Sequence, residues 1–155
     1  MPAAGPSDDR GPLFLLLALG GVLFFLNLAG TDLGNPDEPR YAQVAREMVR
    51  SGQWVVPHLD AQVYDQKPPL FFWLIGGFGI VIGAVNEWAA RLPSAVSSTL
   101  VLLFTYLFGA RLFGRRAGLL AGLVLATSAL FVIMARKASI SAWLVALAKA
   151  SVRVA

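Results

Sequence analysis

Apolar residues run in long blocks along this chain instead of recurring at helix or strand spacing. The blocks are 13–30, 70–85, 92–108 and 117–135, and another begins at 138–148. An α-helix needs about 20 predominantly apolar residues to cross the ~30 Å hydrocarbon core of a bilayer. Blocks 13–30, 92–108 and 117–135 therefore predict spanning helices. Block 70–85 is shorter and holds Gly76, Gly77, Gly79 and Gly83. It fits a span, or a juxtamembrane or re-entrant segment, and its glycines suit close helix packing. Gly118 and Gly122 form a small-xxx-small pair of the same kind. Residues 1–12 read as a disordered, Pro/Gly-rich lead. A secretory signal competes for 13–30, but Asp8 and Asp9 beside Arg10 make a poor n-region, which favours an uncleaved helix.

Between the first two blocks lies the longest polar interval, 31–69. Within it, Tyr41, Val44, Ala45, Met48 and Val49 fall on one helical face, with Arg40, Gln43, Glu47 and Arg50 on the other. This pattern predicts an amphipathic helix over about 38–51, lying along the membrane interface. Asn35 can cap it, Pro36 suits its first turn and Gly52 its C-terminal stop. Trp54 and Tyr64 fit an aromatic belt nearby.

Composition agrees with a membrane protein: 57% of residues are hydrophobic and 14% charged, too few charges for a soluble surface. With no cysteine there is neither a disulfide framework nor a thiolate centre. Most of the basic excess behind the net charge of +4 sits in short loops between apolar blocks, which sets topology and does not mark a nucleic-acid partner. Arg111, Arg115 and Arg116 make 109–116 the expected cytoplasmic loop. An N-terminus on the same side then puts the whole interval 31–91 outside, with 70–85 not fully crossing.

Charges beside a bilayer are expensive without a purpose, which draws attention to Asp37 and Glu38. Adjacent carboxylates can ligate a divalent cation, accept a proton from a nucleophile, or cap a helix N-terminus. Capping is the plainest reading of the dipeptide alone. Arg40 and Lys67 would suit a phosphate-bearing substrate, though Lys67 also fits a side chain snorkelling to the interface. His58, the single histidine, has no companions for a zinc site; it could donate to a phosphate, and reads more plainly as a loop residue. Arg91, beside Leu92 and Pro93, reads as a helix-end anchor.

The order of several short segments is more specific than any one of them. Asn35-Pro-Asp-Glu-Pro-Arg-Tyr-Ala is followed by Ala45-Arg-Glu-Met, Ser51-Gly-Gln-Trp-Val-Val-Pro-His-Leu, Tyr64-Asp-Gln-Lys-Pro-Pro-Leu and Ala90-Arg-Leu-Pro-Ser. Leu112-Phe-Gly-Arg-Arg-Ala-Gly-Leu-Leu-Ala and Ala135-Arg-Lys-Ala-Ser come next. This set resembles the N-terminal part of lipid-carrier-dependent glycosyltransferases, the group of aminoarabinose transferases and protein O-mannosyltransferases. The resemblance implies an all-α integral membrane fold of GT-C type, here with three to four spanning helices and an interfacial helix in a long first external loop. It implies sugar transfer, with inversion, from a polyprenyl-phosphate donor to a lipid or protein acceptor such as lipid A or a protein hydroxyl. Membrane lipids are the remaining partner, and the expected location is a bacterial inner membrane with the first loop facing the periplasm or exterior.

Carried over residue by residue, the resemblance makes Asp37 the first-loop catalytic acid and Glu38 its neighbour in the catalytic pair. Arg40 and Lys67 match positions associated with the lipid phosphate, and Tyr64 belongs to the same loop element. Asp37 would act directly or through a divalent metal cation. The family pattern has a second acid where this chain has Ser141. Family members also continue through many more helices, so 136–155 reads as the start of a further segment in a truncated chain. A non-catalytic membrane protein that binds lipid phosphate or packs against a partner is the alternative.

Overall fold

The computed structural model describes residues 10–30, 32–33, 37–60, 62–67 and 69–138. Six helices and one small hairpin follow in chain order. They are α1 Arg10–Phe25, α2 Asp37–Ser51, β1 His58–Leu59, β2 Gln62–Val63, α3 Pro69–Ile82, α4 Glu87–Phe113, α5 Arg115–Thr127 and α6 Ala129–Arg136. The chain is a helical integral membrane protein, with β1 and β2 as a minor antiparallel clip.

Each helix ends for a local reason. α1 stops short of the apolar block's end because Asn27 turns left-handed (φ 55°), and the Leu28 and Gly30 amides bond back to Phe25 and Asn27. α2 closes as its sequence indicates: Gly52 takes φ 70° and its amide donates to the Met48 carbonyl. The proposed caps Asn35 and Pro36 lie outside the described residues. α3 ends at Gly83, also left-handed at φ 89°. Its 14 residues span about 21 Å at 1.5 Å per residue, shorter than a bilayer core.

α4 is longer than its apolar block, with 27 residues. Asn86 starts it by accepting the Ala89 amide on Oδ1 at 3.1 Å. It continues past residue 108 until Gly114, at φ 89°, breaks the helix. It is long and apolar enough to cross a membrane. The block 117–135, expected as one helix, is instead broken into α5 and α6, which bend by 64°. Ser128 leaves helical geometry (ψ 117°), and the Thr127 hydroxyl bonds back to the Leu123 carbonyl at 2.8 Å.

Two clusters form the interior. One joins the amphipathic face of α2 to α3: Tyr41, Val44, Ala45 and Met48 pack with Tyr64, Phe71, Phe72 and Ile75. Gly76 admits Trp54 at this interface, and a Cβ there would lie 2.9 Å from the indole. The other joins α1, α4, α5 and α6 through Leu16, Phe24, Leu28, Leu102, Tyr106, Ala126 and Ala135. Gly118 lets α5 approach the backbone of α4, since a Cβ on it would meet the Ala110 nitrogen at 2.5 Å. The small residues at 118 and 122 thus serve helix contact, as their spacing indicates.

Candidate functional site

The two neighbouring carboxylates at the start of α2 occupy opposite environments. Successive helical residues point about 100° apart, so only one of the two can face the protein interior. Glu38 does, and is buried. Asp37 faces outward with 54% of its side chain exposed. Its nearest cation is Arg40, one turn on, at 3.8 Å and 43% exposed. An ion pair this open and long is weak, so Asp37 and Arg40 both stay available to a third party.

Glu38 is fully committed. Arg91 on α4 forks onto it, with Nη2 donating to Oε2 at 3.1 Å and Nε to Oε1 at 3.4 Å. Both side chains are almost completely buried. The guanidinium also donates from Nη1 to the Leu28 carbonyl at 2.7 Å and from Nη2 to the Asp32 carbonyl at 3.0 Å. Oε1 of Glu38 accepts a further bond, 2.7 Å long, from the Ala138 amide just beyond α6. A buried charge pair is tolerable only with its remaining donors and acceptors satisfied, and this arrangement meets that condition. Of the two expected catalytic carboxylates, Asp37 is therefore the one open to a substrate.

Tyr41 lies one turn along from Asp37 and packs edge-on against Phe71, with centroids 5.7 Å apart. Its phenol is pushed above the ordinary value of 10.0, first by burial and then by Asp37 and Tyr64, with Arg40 pulling the other way. Asp37, Arg40 and Tyr64 are thus close enough for one hydroxyl to sense all three. Tyr64 itself is buried, its ring edge-on to Phe72 at 5.8 Å and its amide donating to the Pro57 carbonyl at 2.8 Å. Lys67 is exposed on the connection from β2 to α3. Among the described residues no ion pair joins Lys67 to Asp37. Ser141 lies outside the described residues.

A divalent cation needs several oxygen ligands, and the donor set here is thin. Glu38 is spent on Arg91, and no group of three metal-ligating side chains occurs among the described residues. Among the described residues the first loop therefore offers no complete ligand set for a divalent cation.

Arg91 is the site residue that inspection of the sequence undervalued. Its signal is a single charge directly before a run of apolar and small residues, where an unpaired guanidinium would be costly. Tyr41 was legible only as part of an apolar helical face.

Known proteins are similar to this chain in sequence and in fold. A solved structure of ArnT from Cupriavidus metallidurans bound to undecaprenyl phosphate is 32% identical, with a TM-score of 0.82. The match covers 90% of this chain and 26% of that one. The undecaprenyl phosphate-alpha-4-amino-4-deoxy-L-arabinose arabinosyl transferase of Pseudomonas savastanoi pv. phaseolicola is 39% identical over 98 residues, 63% of this chain and 18% of that protein. The enzyme of the same description from Pectobacterium carotovorum is 37% identical over 117 residues, 75% of this chain and 21% of that protein. The chain spans about a fifth of the length of the curated relatives it matches. The family model described as dolichyl-phosphate-mannose-protein mannosyltransferase matches residues 66–153, more than half of the chain. The chain belongs to that family.

Proposed function

We propose that this chain carries the first-loop part of the active site of a membrane glycosyltransferase that takes its sugar from a polyprenyl-phosphate donor. The observation that carries the reading is the open Asp37–Arg40 pair at the start of α2, in a chain similar over 90% of its length to an ArnT bound to undecaprenyl phosphate. A lipid or a protein hydroxyl is the acceptor, lipid A among the candidates.

In the reaction, an acceptor oxygen attacks the anomeric carbon from the face opposite the phosphate. Asp37 takes the proton of the attacking group. The bond from the anomeric carbon to the phosphate oxygen breaks, and its electron pair leaves with the lipid phosphate. Arg40 and Lys67 offset the charge developing on that phosphate, a contribution larger in the transition state than in the bound donor. Tyr64 shapes the loop wall on the Phe72 side.

Topology supports the placement. With the arginine-rich turn between α4 and α5 on the cytoplasmic side, α4 crosses and α3 stays short of crossing. The first loop then faces the periplasm or exterior of a bacterial inner membrane. The test is capture of undecaprenyl phosphate by the purified chain in lipid nanodiscs. R40Q and K67Q should each weaken binding several-fold, and the double variant more. Undiminished binding by the double variant removes these two residues from the phosphate site.

A further inference from the structure

The Glu38 carboxylate and the Arg91 guanidinium join segments that are far apart in the chain. Arg91 belongs to α4, Leu28 and Asp32 to the connection leaving α1, Glu38 to α2, and Ala138 to the stretch leaving α6. The sequence separations across these bonds run from 53 to 100 residues. Ala138 is also buried in the cluster that α2 forms with α3. The ion pair therefore sits where both interior clusters and two connections meet.

Its position on α2 sets the rotational phase of the helix. Glu38 is in the first turn. Fixing its carboxylate inward turns Asp37 outward and brings Arg40 and Tyr41 to the same side, since residues three and four apart share a helical face. No apolar contact in that first turn could fix the phase as tightly: a bidentate carboxylate–guanidinium fork constrains direction as well as distance.

We propose that Glu38 and Arg91 are a positioning pair. They fix the rotation of α2 about its own axis, and with it the outward direction of Asp37, by tying its first turn to α4 and to Ala138 just beyond α6. This rests on the reading of Asp37 as the proton acceptor. Neither Glu38 nor Arg91 touches the reacting atoms.

The chain has no cysteine, so two spin labels can be attached cleanly at R50C and R116C, both exposed positions outside the Glu38–Arg91 junction. The distance between them is measured in nanodiscs by pulsed electron resonance. Transfer is measured in membranes of cells expressing the chain. Removing one partner strands a buried charge and can unfold the protein, so the informative variant is the double substitution E38M/R91M. It is expected to insert, to broaden the narrow distance distribution of the parent, and to lower kcat about a hundredfold with donor KM within about twofold, the scale of a misplaced catalytic group. A distribution as narrow as the parent's overturns the inference. D37N separates this from the functional reading: it leaves the pair intact and should keep the narrow distribution while losing turnover. Normal turnover by D37N overturns the role of Asp37 instead.

Discussion

The α2–α3 region and the bundle of α1, α4, α5 and α6 are built by different physics. The first is held by aromatic edge contacts around Tyr41, Tyr64, Phe71 and Phe72 and by the buried ion pair at its border. The second is held by packing at small residues: Gly118 lies against the backbone of Tyr106 and Ala110, and Gly122 against the Leu16 side chain. In lipid, apolar side chains gain little by meeting one another, so packing at small residues joins helices. At the membrane surface water is present, and an amphipathic helix gains by burying its apolar face. The exposed Asp37–Arg40 pair lies in the first region, and the second reaches it through Arg91 at the border.

Single removal of a charge at the border should have the largest effect on stability. R91M leaves the Glu38 carboxylate buried without its cation, a loss of about 3–5 kcal/mol. Chemical unfolding in detergent measures it, and a loss near zero would mean that the pair is not a junction. F72A empties a position in contact with both tyrosine rings and should cost a comparable amount, about 3–5 kcal/mol, at the lower end if the cluster collapses. Its damage should stay local. Proteolysis is expected between α2 and α3 while α4 and α5 remain protected, and cleavage throughout would erase the distinction between the regions.

A smaller effect belongs to the bundle. G118A places a Cβ 2.5 Å from the Ala110 nitrogen and 2.7 Å from the Tyr106 carbonyl oxygen, both backbone atoms that cannot turn aside. The expected cost is about 1–3 kcal/mol. G122A meets only the end of the Leu16 side chain, at 2.7 Å, and should cost less. Equal losses would show that the close approach at 118 is not special.

The smallest effect is titration of Tyr41. Its folded pKa is raised above 10.0, so folding favours the neutral phenol. That stabilisation is present below a pH of about 10, the unfolded value, and is lost as pH rises through the higher folded value. Y41F should resist alkaline unfolding better than the parent. A parent that is equally resistant would show that burial and Asp37 together do not hold the Tyr41 phenol above its ordinary value.

Much of this was legible in the sequence because amphipathic periodicity and turn chemistry act locally. The α2 helix needed only the spacing of Tyr41, Val44, Ala45 and Met48 and the glycine at 52. The break at Ser128 was not legible, because residues 117–135 are uniformly apolar apart from Thr127 and Ser128, and hydroxyls often sit quietly within helices. The separate roles of Asp37 and Glu38 were equally hidden. Adjacent acids look alike until Arg91, 53 residues from Glu38, selects one of them.

The central claim is that these neighbouring carboxylates do different work, and D37N and E38Q measured side by side test it most directly. Turnover of a polyprenyl-phosphate-linked sugar is followed together with thermal unfolding. D37N is expected to lose transfer by about a hundredfold or more, the scale of a removed general base, while unfolding at the parent's temperature. E38Q is expected to unfold at a clearly lower temperature. A D37N protein that turns over normally, or an E38Q protein as stable as the parent, would contradict the account.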